Sequence, residues 1–211
     1  MRRITRWEAR VRENPGHSRW YVERFRAMAA QGRDLAGEAR LLDAMLERGS
    51  RVLDAGCGPG RVGGELAVRG HRVVGVDIDP YLIAAAREDH PGADWRVGDL
   101  AELDLVEQGE EPFDAVVCAG NVMTFLAPGT EVEVLRRMGA QGRADGRVVV
   151  GFGAGRGYPF DRFFADAAEA GLVVDLRLAT WDLRPFTADS DFLVAVLRRP
   201  AAGPEDTAPA G

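Results

Sequence analysis

The stretch Arg51-Val52-Leu53-Asp54-Ala55-Gly56-Cys57-Gly58-Pro59-Gly60 decides how the chain is read, because it passes from a short apolar strand through a glycine-rich turn into a helix. Val52 and Leu53 are the run of a strand covered on both faces, and the glycines after them let backbone touch a ligand. Such a turn belongs at the carboxyl end of the first strand of an open parallel sheet, where the crevice outside the strand ends holds the ligand.

Two ligands compete for it. Gly58-Pro59-Gly60-Arg61-Val62-Gly63 fits the dinucleotide pattern GxGxxG, while Asp54 to Gly60 reads DxGxGxG, and glycine spacing alone does not separate them. Asp54 sets a carboxylate where a pyrophosphate meets like-charge repulsion and a cationic amino-acid head group does not. Pro59 removes one backbone N–H from a loop whose value to a diphosphate lies in its N–H groups. The favoured ligand is zwitterionic at that end. Here the chain resembles the class I S-adenosylmethionine-dependent methyltransferases, whose first motif has this acidic residue followed by GxGxG.

Outward from the turn, helices and strands alternate. Residues 62–69 read as a helix closed by Gly70, 72–76 as the second strand, and Asp79-Pro80 as the N-cap and first position of the next helix. Strands follow at 94–97, 113–119 and 147–152, with a helix from Thr130, where Thr130 and Glu133 have capping-box spacing. A helix at 160–170 and strands at 172–179 and 192–197 complete the domain. The early alternation specifies a parallel, doubly wound α/β sheet with right-handed crossovers. The last two strands have no helix between them and must pair antiparallel. That matches the Rossmann-like seven-stranded sheet, with one reversed strand, which the resemblance implies.

Acidic residues recur at the strand ends. Asp77 ends the second strand roughly twenty residues past the turn, placed to accept hydrogen bonds from ribose hydroxyls, a spacing that suits NAD as well. Asp99 ends the third strand, from where its carboxylate can meet an adenine amine beside Leu100; its plain alternative is a turn cap. The resemblance covers about residues 49–151 and implies S-adenosyl-L-methionine as cofactor. By it, Gly56, Cys57 and Gly58 give backbone contacts, Ile78 and Leu100 wall the adenine slot, and Ala119, Gly120 and Asn121 line the cleft between methyl group and acceptor. The fourth-strand segment Cys118-Ala119-Gly120-Asn121-Val122-Met123 lacks the Asn/Asp-Pro-Pro-aromatic and Pro-Cys motifs of nucleic-acid methyltransferases, so a small-molecule acceptor is expected. Asn121, and Arg156 and Tyr158 in the glycine-rich loop after the fifth strand, are the candidate acceptor contacts. That loop lacks the Lys-Ser or Lys-Thr of a P-loop. His17, Tyr158 and Asp182 could reach the cleft, but no spacing singles out a catalytic base.

Before the first strand, an arginine-rich segment to Glu13 is expected to be a loose arm or short helix, ended by Asn14-Pro15-Gly16. Helices at 18–30 and 35–48 should then pack over the crevice as a cap. In the first of these, Trp20, Arg24 and Met28 fall at i, i+4 spacing beside Tyr21 and Phe25, setting Arg24 within the apolar stripe. A buried guanidinium needs an anion. The cofactor's carboxylate is one candidate; a protein carboxylate such as Asp34 or Glu38, or a snorkelling route to water, is the other.

The chain has 211 residues, 46% of them apolar, which suits one core: an N-terminal arm and cap at 1–48, the main domain at 49–199, and a disordered tail at 200–211. A net charge of −6 argues against a general electrostatic footprint for nucleic acid. All 27 basic residues are arginine, a bias without chemical implication. Cys57 and Cys118 are too few for a zinc site, and no signal peptide or membrane-length apolar run is evident, so a cytoplasmic location is expected. Two rival functions stay open: an NAD(P)-dependent oxidoreductase using the overlapping GxGxxG, and a catalytically silent S-adenosylmethionine-binding module.

Overall fold

The computed structural model describes residues 2–200. Helices α1 (Arg6–Glu13), α2 (His17–Ala30) and α3 (Gly37–Met45) come first. They are followed by β1 (Arg51–Ala55), α4 (Arg61–Val68), β2 (Arg72–Asp77), α5 (Pro80–Asp89), β3 (Asp94–Val97) and β4 (Phe113–Cys118). The chain continues through α6 (Glu131–Gln141), β5 (Gly142–Gly153), α7 (Phe160–Glu169), β6 (Val173–Leu178) and β7 (Phe192–Arg198).

The seven strands form one sheet in the order β3-β2-β1-β4-β5-β7-β6. β1 lies parallel between β2 and β4, with Val52 opposite both Val73 and Ala115, and β7 runs antiparallel to β5 and β6. The strand order reverses at β1 and β4, so the crevice at their carboxyl ends is the topological switch point. All five residues of β1 are buried. Alternation divides them between two layers. Leu53 joins Phe113, Val116, Met138 of α6 and Phe163 of α7 on one face; Val52 joins Ala115, Val149, Leu42 of α3 and Leu66 of α4 on the other.

That division corrects the expectation for residues 35–48. The α3 side chains Ala39, Leu41 and Leu42 are buried against the β1, β4, β5 and β7 side chains, so α3 covers the sheet and not the crevice. The physical need is plain: α4 and α5 cover the β1-β2-β3 half of this face, and without α3 the valines of β5 and β7 would meet water. The arginine-rich segment, in contrast, is firmly organised. Thr5 and Glu8 make a complete capping box, with Glu8 N–H donating to Thr5 Oγ1 at 3.0 Å and Thr5 N–H to Glu8 Oε2 at 2.9 Å, and Trp7 is buried.

Two further differences are local. The capping box expected at α6 does not form: the Thr130 hydroxyl donates to Ala127 O at 2.7 Å, and Glu133 pairs with Arg136 and Arg137. β5 begins at Gly142, not 147, because a bulge opposite Phe113 lets the polar run after α6 join the ladder. The tail expected from residue 200 lies, beyond Pro200, outside the described residues. No described helix is long and apolar enough to cross a membrane, and no group of three or more acidic, His or Cys side chains among the described residues is placed to hold a metal ion.

Candidate functional site

The glycine turn after β1 is bound to the neighbouring strand through its own N–H groups. Gly56 and Cys57 both donate to Val76 O, at 2.7 and 3.1 Å, Gly58 donates to Asp77 Oδ2 at 2.8 Å, and Gly60 to Cys57 O at 3.0 Å. Pro59 has none to give. Gly63, in the first turn of α4, donates to Asp54 Oδ2 at 2.8 Å. The loop therefore offers a ligand few donors. Gly56 sits at φ +81°, and a Cβ there would come within 2.5 Å of Val122, so only glycine lets the β4 turn close down on this one.

Asp54 and Asp77 flank the turn, 2% and 8% exposed. Burial lifts Asp54 to about 7, opposed by the Gly63 hydrogen bond, and lifts Asp77 to about 6, opposed by the N–H groups of Asp79 and Gly58. Two carboxylates under this desolvation favour a ligand that brings a cation or hydroxyl donors. Burial also pushes the Cys57 thiol well above its usual range, so it stays protonated and unreactive.

Above the turn lies a cleft of about 840 Å³, its open mouth included. Its floor is the β1 and β4 turns, one wall is formed by Ile78, Leu82 and Leu100, and its roof by Trp7 of α1 with Tyr21 and Phe25 of α2. Asp79 fastens the roof. As N-cap of α5 it accepts from Tyr81 N–H at 2.8 Å through Oδ1, while Oδ2 takes the Trp7 indole N–H at 2.8 Å and the Ser18 hydroxyl. Asp79 N–H in turn donates to Asp77 Oδ1 at 2.9 Å. The helices over the cleft are thus hydrogen-bonded to the strand end that supplies Asp77.

Of the residues expected at the site, Asp54, Gly56, Cys57, Gly58, Asp77, Ile78, Leu100, Ala119 and Gly120 all line this cleft. Five do not. Arg24 is exposed, its guanidinium 5.5 and 5.9 Å from the Trp20 and Phe25 rings, and no carboxylate pairs with it among the described residues. The inward line of α2 is Ser18 and Val22, one turn apart, which rotates Trp20 outward to 51% exposure and takes Arg24 with it. Asp99 caps the short helical turn after β3, accepting from Ala101 N–H at 2.9 Å, and pairs with Arg2 at 3.0 Å. Asn121 adopts φ +69° and uses Oδ1 to accept from Gly153 N–H at 2.8 Å, a structural tie between the β4 and β5 turns. Arg156 is exposed beside that tie. Tyr158 is buried on the opposite face, stacked on Phe152 at 5.5 Å and donating to Asp166 Oδ2 at 2.8 Å, so it cannot read an acceptor.

His17, another residue thought able to reach the cleft, is packed between Trp7 and Trp20 at 5.0 and 5.4 Å, and burial lowers its pKa. Asp182 is exposed. Trp7, Arg61, Val122 and Phe125 line the cleft without having been singled out in the sequence. For Trp7 a signal existed, since Thr5-Arg6-Trp7-Glu8 has capping-box spacing around an aromatic. For the others nothing local marked them.

A turn with its N–H groups engaged, two buried carboxylates and an apolar slot beside the second one fit a cationic amino-acid head group, a ribose diol and an adenine, and do not fit a diphosphate. The fold and this site together define a class I methyltransferase architecture. Residues 52–146 match the family model described as a methyltransferase domain. A TehB-like S-adenosylmethionine-dependent methyltransferase from Corynebacterium glutamicum is 49% identical, with a TM-score of 0.84, over 89% of this chain and 100% of that one. The chain belongs to the S-adenosylmethionine-dependent methyltransferases, the family that uses S-adenosyl-L-methionine. Among curated proteins, the magnesium-protoporphyrin O-methyltransferase of Rhodobacter capsulatus is 37% identical over 51% of this chain and 48% of its own length. The ubiquinone biosynthesis O-methyltransferase of Xylella fastidiosa is 42% identical over 33% of this chain and 29% of its own. The match thus spans half or less of these curated relatives.

Proposed function

We propose that this protein methylates a small-molecule acceptor, using S-adenosyl-L-methionine held at the β1 turn. The observation that carries the reading is the turn itself, whose N–H groups are engaged by Val76, Asp77 and Cys57 while Asp54 and Asp77 stand buried beside it. Asp54 is placed to face the ammonium of the head group and Asp77 to accept from ribose hydroxyls, with Ile78 and Leu100 as apolar walls. The cofactor supplies there a sulfonium methyl group, an electrophile whose leaving group needs no proton. The protein's share is alignment and dryness: Trp7, Tyr21 and Phe25 shield the strand ends from water, and the Ala119-Gly120 turn keeps side chains out of the path of an acceptor. The cleft lining contains no histidine and the Cys57 thiol is held protonated, which favours an acceptor whose nucleophile needs little help losing a proton.

A small acceptor is supported by the roof over the cleft, by the net charge of −6, and by curated relatives named for methylation in porphyrin and ubiquinone chemistry. The dinucleotide reading loses its support with the N–H groups of the turn. Incubating the protein with methyl-labelled cofactor and a metabolite extract tests the proposal: label should move into a low-molecular-mass fraction. Transfer only to nucleic acid or protein refutes the small-molecule reading, and tight cofactor binding with no transfer to any fraction would assign the silent binding module instead.

A further inference from the structure

The roof of the cleft is anchored unevenly. α2 is held to the body of the protein by buried Val22 and by Arg26, whose guanidinium pairs with Glu88 and Asp89 of α5 at 2.8 Å each. In α1, Trp7 is the one buried residue, and residues 2–4 before it are exposed. The capping box fixes the form of α1 but not its attachment. Besides the Trp7 indole bond to Asp79, that attachment is a set of polar ties. Arg2 donates to Asp99 Oδ2 at 3.0 Å, Arg3 to Pro128 O and Gly129 O at 3.1 Å each, Arg6 to Thr124 O at 3.3 Å, and Trp7 N–H to Phe125 O at 3.3 Å.

The strand order shows what these ties cross. Asp99 follows β3 and residues 124–129 follow β4, and β2 and β1 lie between those two strands in the sheet. A segment fastened on both sides passes over the carboxyl ends of β2 and β1, where Asp77 and Asp54 stand. Thr5 and Trp7 line the cleft from that position. Exposed charged contacts contribute little one by one, and a segment with so little buried apolar surface opens locally at small cost in free energy. Asn14-Pro15-Gly16, exposed throughout, separates α1 from α2. Rotation there moves α1 and leaves the better-anchored α2 in place.

We infer that α1 and the residues before it form a gate over the β1 and β2 strand ends, latched by Arg2 on Asp99 and by Arg3 on the Pro128 and Gly129 carbonyls, and hinged at Asn14-Pro15-Gly16. The inference rests on the cofactor reading of the cleft. When the latch releases, Trp7 leaves Asp79 and the slot beside Ile78 and Leu100 opens to solvent; when it closes, Trp7 and Thr5 cover the slot again. Arg2 and Arg3 are not among the residues that line the cleft. They therefore set how often the gate opens, whether the cleft is filled or empty, and through that the rates of cofactor entry and product exit.

The test is stopped-flow binding of S-adenosylhomocysteine, read by tryptophan fluorescence because Trp7 lines the cleft, beside calorimetric measurement of Kd. In the double variant Arg2→Gln with Arg3→Gln, the association and dissociation rate constants should rise together by about 3- to 10-fold, the weight of two exposed ties, with Kd unchanged. In wild type, added salt should speed both steps by screening the Arg2–Asp99 pair, a response the variant should lose. Unchanged rate constants in the variant would overturn the gate. Faster dissociation alone, with weaker affinity, would make the two arginines ligand contacts and overturn it as well. Slower dissociation with tighter affinity would replace the gate by competition between Arg2 and the ligand for Asp99. Should the double variant not fold, Arg3→Gln alone, which leaves Arg2 and the capping box untouched, repeats the test with a smaller factor. Failure of wild type to bind S-adenosylhomocysteine would instead overturn the cofactor reading and this inference with it.

Discussion

Replacing Asp54 by Asn separates the two roles that the structure gives this carboxylate. Asn keeps the shape and can still accept the Gly63 N–H, but it cannot ionise. In the folded protein burial holds the Asp54 carboxyl near 7, against roughly 3.9 in an unfolded chain. A group raised in this way contributes stability that is fully present below its unfolded pKa and is lost as pH climbs through its folded pKa. From pH 5 to pH 8 the ligand-free wild type should therefore lose roughly 2 to 3 kcal/mol relative to Asp54→Asn. For a domain of this size that is a relative fall in melting temperature of roughly 5 to 10 °C. Differential scanning fluorimetry of both proteins across this range measures it, and titrating groups that are not coupled to Asp54 cancel in the difference, whereas Asp77, which repels it, does not. S-Adenosylhomocysteine should reverse the trend, because its ammonium stabilises the ionised carboxylate. Its stabilising shift should grow with pH in wild type and stay small and flat in the variant. Parallel pH profiles for the two ligand-free proteins, or an equal ligand shift in both, would refute the argument.

Other expectations follow from single contacts. Asp77→Ala should lower S-adenosylhomocysteine affinity by a factor on the order of 10 to 100 by titration calorimetry, since a charge-assisted acceptor is lost. Gly56→Ala combines a left-handed backbone with a Cβ 2.5 Å from Val122, and should cost roughly 2 to 5 kcal/mol of stability in urea titration. Tyr158→Phe strips the buried Asp166 of one donor and should cost roughly 1 to 3 kcal/mol while leaving S-adenosylhomocysteine affinity unchanged. An affinity loss in Tyr158→Phe would return that residue to the ligand site.

The turn side of the cleft was legible because its constraints are local. A glycine-rich turn and acidic residues at strand ends are read from residues within a few positions of each other, and the places of Asp54 and Asp77 at the cleft follow from them directly, whereas Ile78 came only from the family resemblance. The roof was harder. In α2 the large aromatics suggested a stripe through Trp20 and Arg24, but the helix is oriented by Ser18, whose hydroxyl reaches Asp79, and by the small apolar Val22. Asp79 lies 61 residues from Ser18, so no helical wheel could have set the phase. The role of α3 depends on sheet width, which emerges only once β5 and β7 are paired. Tyr158 turned to the far face because Asp166, eight residues on, supplies a buried acceptor. Arg61 was read only as a filler position of GxGxxG, and its partners, Leu35 before α3 and Glu38 within it, lie more than twenty residues earlier in the chain.

The central claim is that the turn after β1 holds the amino-acid end of S-adenosylmethionine and not a diphosphate. Calorimetric titration of the protein with S-adenosylhomocysteine, and separately with NAD and NADP, tests it most directly. The protein should bind S-adenosylhomocysteine saturably and one-to-one and neither dinucleotide detectably. Saturable binding of NAD or NADP without binding of S-adenosylhomocysteine would contradict it.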